Sequence, residues 1–314
     1  VREPALSVAD LLDLLEKTSR TFALSIPPLP EPTRREVTVA YLLFRIADTF
    51  EDAAHVLPEV RIRALRDFNG LVAASRRDEA VRLSREWTEA GVAAHRGDRE
   101  LLAEVPFVLD AFYALSPGAA EAIRRHVIRS ADGMADFVTR ARDGRLTLSD
   151  LDDLKAYCYV VAGLVGEMLT ELFLLDRPGL AAEAGALLSR AGAFGEALQL
   201  VNILKDEASD AAEGRTYLPA AVPPREVFAL ARRDLVAAAE YIGALERARA
   251  PRGILEFTAL PVELAWASLE KIEKNGPGSK VTRPEVTLLA RRVRHALDTG
   301  ERLAQRLSNA RERA

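Results

Sequence analysis

The chain has 314 residues, 49% hydrophobic and 29% charged, enough for a sizeable core under a charged surface. Its net charge of −4 gives no general attraction for nucleic acid, so an anionic ligand would have to be met by local basic clusters. The single cysteine, Cys158, excludes an intramolecular disulfide framework and a multi-cysteine zinc site. No signal-peptide pattern opens the sequence and no long uncharged apolar run interrupts it, which predicts a cytoplasmic protein without a transmembrane anchor.

Helical periodicity runs from end to end, and alternating β-branched segments bounded by turns are almost absent. The spacing predicts helices over 8–23, 33–54, 60–74 and 78–94, then 100–115, 119–142, 149–175 and 181–210, and last 225–248, 254–274 and 283–310. Proline and glycine punctuate them at Pro27, Pro28, Pro30 and Pro32, at Ser116-Pro-Gly118, at Arg177-Pro-Gly179, and from Pro219 to Pro224. No repeat or low-complexity linker is visible, so the expectation is one all-α domain over 1–314.

In chain order, Ser19-Arg-Thr-Phe22 precedes the proline-rich turn. Tyr41, Arg45, Asp48 and Asp52 then recur at steps of three and four, which puts them on one helix face, with Glu51 beside them. A carboxylate set among leucines and phenylalanines is costly unless a cation accompanies it. Arg20 and Arg45 could reach a diphosphate there, since a guanidinium fork binds phosphate oxygens in pairs, or Arg45 could simply pair with Asp48 or Asp52. Asp132 and Asp136 share the Asp-x-x-x-Asp spacing but have few acidic neighbours, and Asp132 reads as a surface residue.

Tyr157-Cys-Tyr-Val-Val-Ala-Gly-Leu-Val-Gly166 carries two glycines inside a helical pattern, each costing about 1 kcal/mol against alanine. Either a close helix contact or room for a hydrocarbon ligand would explain them. Gln199, Asn202, Asp206 and Asp210 form a second polar stripe with Glu207 alongside, followed by Gly214-Arg-Thr-Tyr-Leu-Pro219, which presents Arg215 and Tyr217. Magnesium takes oxygen ligands and keeps waters, so one or two carboxylates per ion plus phosphate oxygens would suffice at either stripe. Asn275-Gly-Pro-Gly-Ser-Lys280 lacks the ending of a P-loop and reads as a flexible turn, with Lys280 as a mobile cation. The arginine-rich end (Arg291, Arg292, Arg294, Arg302, Arg306) reads as a solvated helix face that could also touch an anionic membrane. The four histidines share no spacing that suggests a site.

Together these segments resemble the squalene and phytoene synthase family. The resemblance rests on Tyr41 to Asp52, Tyr157 to Gly166 and Asn202 to Asp210, with Ser19 to Phe22, Gly133-Met-Ala-Asp-Phe137 and Gly214 to Pro219 in the same order. It implies an all-α isoprenoid synthase fold, helices around a central cavity, and head-to-head joining of two prenyl diphosphates. By the same resemblance Asp48, Glu51, Asp52, Asp206 and Asp210 would hold magnesium. Ser19, Arg20, Phe22, Arg45, Gln199, Asn202, Arg215 and Tyr217 would bind substrate, and Tyr157, Arg45 and Tyr41 would act at the reacting centre. The motifs look closer to squalene synthases, which implies two farnesyl diphosphates, presqualene diphosphate and NADPH held by Arg20, Arg45, Lys205 and Lys280. Lys205 stands where an arginine is more usual, and Thr282 where a second basic residue is expected. A phytoene or dehydrosqualene synthase, transfer to another acceptor, or a non-catalytic isoprenoid-binding protein are the competing readings. Product release implies peripheral membrane contact.

Overall fold

The apolar periodicity becomes fifteen α-helices in the computed structural model, which describes residues 8–19, 21–141, 146–212 and 215–310. The first eight are α1 (Val8–Thr18), α2 (Phe22–Ser25), α3 (Thr33–Glu51), α4 (Pro58–Ala73), α5 (Arg77–Glu89), α6 (Arg96–Ala103), α7 (Val105–Tyr113) and α8 (Pro117–Arg140). Next, α9 (Leu151–Cys158) passes through a π-helical turn (Tyr159–Gly163) into α10 (Leu164–Asp176). A 3₁₀ segment (Pro178–Glu183) then leads into α11 (Ala184–Ala212). The last four are α12 (Pro224–Arg247), α13 (Arg252–Asn275), α14 (Arg283–Thr299) and α15 (Leu303–Ala310). Two short strands, β1 (Leu146–Thr147) and β2 (Arg215–Thr216), pair in parallel.

Differences from the sequence reading lie where local chemistry stops a helix. The segment predicted over 100–115 breaks at Glu104, and Pro106 sits in the first turn of α7, where a missing N–H costs nothing. The segment predicted over 283–310 ends α14 at Gly300, whose φ of 73° suits glycine. Side chains close several helix starts: Ser116 Oγ accepts from the Ala119 N–H, and Asp150 Oδ1 accepts from the Asp153 N–H at 2.9 Å.

The described residues fall into two compact units, 8–27 with 31–141, and 28–30 with 146–310. In the first, α3 is the central helix, packed by α1, α4, α6, α7 and α8. Its inward residues Leu42, Leu43, Ile46 and Phe50 are fully buried, each worth about 1.5–3 kcal/mol of transfer free energy. Phe50 anchors an aromatic group with Phe68 and Trp87, at ring separations of 6.1 and 4.7 Å.

In the second unit, α11 is central and packs on α10, α12, α13 and the π-helical turn. Glycines allow this: a methyl group on Gly166 would collide with the Ala191 carbonyl, and one on Gly195 with the Ala162 carbonyl. Two backbones therefore approach each other at small residues. The C-terminal helices are tied to α13 by ion pairs from Arg294 to Glu256 (2.6 Å) and from Arg306 to Glu263 (3.2 Å). Both glutamates are buried, so part of the basic face is structural rather than merely solvated. The continuous run Leu151–Asp176 is long and apolar enough by composition to cross a membrane, although Glu167 and Glu171 interrupt its apolar part, so it is not an uncharged run. Half of its most apolar window is buried inside the protein, as in a core helix.

Candidate functional site

On the first stripe, α3 carries Tyr41, Arg45, Asp48 and Asp52 as the spacing predicts, with Asp52 as its C-cap. The Tyr41 hydroxyl donates to the Thr18 carbonyl at 3.1 Å, and its ring lies 5.3 Å from that of Phe22. Ser19 Oγ accepts from the Phe22 N–H at 3.0 Å, which fixes the turn bringing Phe22 onto Tyr41. Arg20 lies outside the described residues.

Arg45 pairs with neither Asp48 nor Asp52. Its Nε and Nη2 donate to both carboxylate oxygens of Asp98, each at 2.9 Å. Asp98 is buried in the first turn of α6, and its neighbour Gly97 explains the placement. A methyl group on Gly97 would run into the Lys17 carbonyl, so only glycine lets α6 lie this close to α1. Asp48 therefore keeps a half-buried carboxyl that, among the described residues, makes no ion pair, with Arg45 bound to Asp98 instead. Burial is the main cause lifting that carboxyl to about 7; Arg45 pulls it down, while Asp52 and Asp98 add to the rise. Asp52 is exposed, whereas Glu51 is buried, with the Arg61 guanidinium donating to its backbone carbonyl.

The second stripe is met by cations. Lys205 Nζ donates to Asn202 Oδ1 at 2.9 Å and lies 3.2 Å from Asp206 Oδ2. Lys280 Nζ lies 3.5 Å from Asp206 Oδ1, and Arg215 Nη2 donates to Asp210 Oδ1 at 3.0 Å. The glycine loop that supplies Lys280 is docked, not free: the Gly278 N–H donates to the Lys205 carbonyl at 2.9 Å. Gln199 is half-buried one turn before the exposed Asn202, and Glu207 is exposed. Gly214 lies outside the described residues.

Next to that stripe, the Tyr157 and Tyr217 rings stack at 4.7 Å and 28°, both buried. The β1–β2 pairing, Thr147 opposite Thr216, carries the segment that presents Tyr217. Tyr157 lies in the last turn of α9, which Cys158 ends just before the π-helical turn, a feature that often marks functional positions. The two motif glycines differ in role. Gly166 is a packing residue, while a methyl group on Gly163 would meet the Tyr159 ring and approach the Glu196 carboxylate. Tyr159 donates to Glu167 at 2.9 Å. Burial first, then the charge of Asp234, raises the Glu196 carboxyl to about 7.

Two positions escaped the sequence reading. Asp98 looks like an ordinary acidic residue in a helix first turn, and nothing in its spacing ties it to Arg45. Glu196 continues the second stripe one turn upstream of Gln199, a signal that the step of three carried. Asp132 is exposed, accepts from Asn69 Nδ2 at 2.7 Å and fits the surface role expected of it. Among the described residues no three acidic, histidine or cysteine side chains converge as a preformed metal cage. What the stripes offer are hard carboxylate oxygens, of the type magnesium takes together with phosphate oxygens and water.

The family model for squalene/phytoene synthase matches residues 15–227, a span holding both stripes and the Tyr157 segment. Squalene synthase of Eremothecium gossypii is 34% identical over 209 residues, covering 66% of this chain and 44% of that protein. Botryococcus squalene synthase of Botryococcus braunii is 31% identical over 226 residues, 71% of this chain and 43% of that protein. The chain thus spans less than half the length of these curated relatives. Among solved structures, TcSQS with the ligand BPH1237 matches at a TM-score of 0.72 and 25% identity, covering 90% of this chain and 85% of that chain. A dehydrosqualene synthase in complex with a ligand shares the fold at a TM-score of 0.59 and 22% identity, covering 93% of this chain and 96% of that chain. The fold is the all-α isoprenoid synthase fold. By sequence and by fold, this chain belongs to the squalene/phytoene synthase family.

Proposed function

We propose that the chain is a magnesium-dependent prenyltransferase that condenses two farnesyl diphosphates head to head, through presqualene diphosphate, to squalene with NADPH. The observation that carries this reading is the second stripe: carboxylates of Asp206 and Asp210, each beside a cation that a diphosphate could take over, next to the stacked Tyr157 and Tyr217. Asp48, Asp52, Asp206 and Asp210 would hold magnesium, and Glu51 would support the turn that carries Asp52. When bound, magnesium supplies Lewis-acid stabilisation of the departing diphosphate.

The chain's own residues do the rest. Arg215, with Arg45 and Arg20, offers guanidinium forks to diphosphate oxygens. A cation on Asp206 would release Lys205 and Lys280 from that carboxylate, leaving both free to meet an anion. That exchange suits them to the NADPH phosphates, and hydride delivery is what NADPH supplies. Ser19 and Phe22 position Tyr41, while Gln199 and Asn202 line the path of the substrate. Tyr41, Phe22 and Tyr157 offer π-faces that stabilise an allylic cation without capturing it.

Incubation with farnesyl diphosphate and magnesium, with and without NADPH, tests the reading through the product. Squalene that requires NADPH supports it. Dehydrosqualene in both arms would move the chain to that branch of the family, and a prenylated acceptor would replace head-to-head condensation with simple transfer. No turnover of any prenyl diphosphate would overturn the enzymatic reading.

A further inference from the structure

Arg45 is the basic residue of the first stripe, and its helix alone offers it a simple partner. Asp48 lies three residues on along α3, the spacing at which helix side chains pair. That pair does not form. Arg45 Nε and Nη2 instead donate to the two oxygens of Asp98, each at 2.9 Å, across 53 positions of sequence. A bidentate bond to a buried carboxylate outcompetes a pair on one helix face, where water contests both partners. Asp98 also sits in the first turn of α6, where the positive end of the helix dipole favours a carboxylate.

The last turn of α1 holds this arrangement in place through adjacent residues. The Lys17 carbonyl fills the space that a methyl group on Gly97 would need, and Lys17 Nζ lies 2.8 Å from Glu100 Oε2. The next carbonyl, that of Thr18, accepts from the Tyr41 hydroxyl at 3.1 Å. So α1 fixes Tyr41 directly and fixes Arg45, one turn later, through α6. Two of the five guanidinium N–H donors are used on Asp98, which leaves three on the outer edge of Arg45 for phosphate oxygens. Asp48, meanwhile, makes no ion pair among the described residues.

We propose, on the reading of the first stripe as a metal site, that Asp98 is a positioning residue: by holding Arg45 away from Asp48 it keeps that carboxylate open to a metal ion. Without Asp98, Arg45 takes the local partner, and a divalent ion must displace a guanidinium to reach Asp48.

Calorimetric titration of magnesium into the full chain, without diphosphate, reads this role, and the heat lost in Asp48→Asn marks the site. Asp98→Asn should weaken magnesium there about tenfold, the loss expected when a charge-assisted pair must first be broken. Adding Arg45→Gln to Asp98→Asn removes the competing cation and should return the affinity to within about threefold of wild type. A merely structural Asp98 predicts no such rescue, because the second substitution takes away another anchor. Should Asp98→Asn not fold alone, Asp98→Asn with Arg45→Lys carries the same comparison. The lysine keeps a cation for Asp48, so this variant should bind magnesium about tenfold more weakly than the one with glutamine. A wild-type chain without any heat that Asp48→Asn removes would overturn the metal reading, and this role with it. Heat that Asp48→Asn removes and Asp98→Asn leaves unchanged would overturn the role of Asp98 alone. So would a loss that Arg45→Gln does not reverse, or equal affinities in the lysine and glutamine variants.

Discussion

Replacing Asp48 by asparagine should make the metal-free protein more stable and, at the same time, blind to magnesium. The carboxyl is lifted from 3.8 to about 7, with burial as the largest cause. A raised folded-state pKa means that the folded protein holds the proton more tightly than the unfolded chain does. The associated stability is complete below the unfolded pKa and is lost as pH rises toward the folded value. From about pH 4 to about pH 7 the wild-type protein therefore loses stability at this position, and above pH 7 the whole cost is present. Three units at about 1.4 kcal/mol each give an upper bound of about 4 kcal/mol; partial solvent access roughly halves it to about 2 kcal/mol. Asparagine keeps the shape and cannot ionise, so Asp48→Asn should gain about 2 kcal/mol at pH 8 and clearly less at pH 5.5. Urea denaturation at the two pH values, in chelator and in millimolar magnesium, reads both effects. Magnesium should stabilise the wild type and not the variant. A variant no more stable than wild type at pH 8, or one that responds equally to magnesium, would refute the electrostatic account of the first stripe.

Asp98→Asn should free Arg45 to turn toward Asp48, lowering stability by about 2 kcal/mol through the weakened bidentate pair and cutting prenyl diphosphate turnover at least tenfold; denaturation curves and product assays check the two effects. Gly195→Ala should cost about 2–3 kcal/mol by forcing a methyl group onto the Ala162 carbonyl. Gly179→Ala, where added atoms meet nothing within 4 Å, is its neutral control in the same denaturation assay. Glu196→Gln should stabilise the protein above pH 7 by about 2 kcal/mol and much less near pH 4.5, because its carboxyl, like that of Asp48, is raised by burial. The groups that set this are Asp234 and Arg233 on α12, Lys155 on α9 and Glu167 on α10, so a stability profile flat across pH 5 to 8 in both proteins would count against it.

The helices were legible because each alternates apolar and polar residues at helical spacing, and both stripes were legible for the same reason. Spacing reports which residues share a face of their own helix and says nothing about the helix opposite. Asp98 shows the limit: it clamps Arg45 across 53 positions, through a contact that depends on Gly97 letting two backbones touch. The loop before Lys280 is another case. Its anchor is a backbone N–H donating to the Lys205 carbonyl, and a backbone bond leaves no mark on side-chain pattern. The paired glycines were readable as special but not as to purpose; Gly166 proves to serve packing, and Gly163 borders Tyr159 and Glu196. Glu51 shares the spacing of a ligand, and its burial is something that spacing does not report.

The two stripes solve one electrostatic problem in opposite ways, and that difference has a consequence for how each meets metal. In the first, Asp98 has taken Arg45, and among the described residues Asp48 makes no ion pair that an arriving cation would have to break. In the second, Lys205, Lys280 and Arg215 already lie against Asp206 and Asp210, and a divalent ion must compete with ammonium and guanidinium groups for those oxygens. Diphosphate changes the balance there, because it gives the displaced cations a new anion to hold. Without diphosphate, then, magnesium should favour the first stripe. With it, the second stripe should gain affinity by the linkage that requires each ligand to strengthen the other. Calorimetric titration of magnesium into Asp48→Asn and Asp206→Asn, with and without inorganic diphosphate, separates the two. Asp48→Asn should remove the diphosphate-independent heat, and Asp206→Asn only the heat that appears when diphosphate is present.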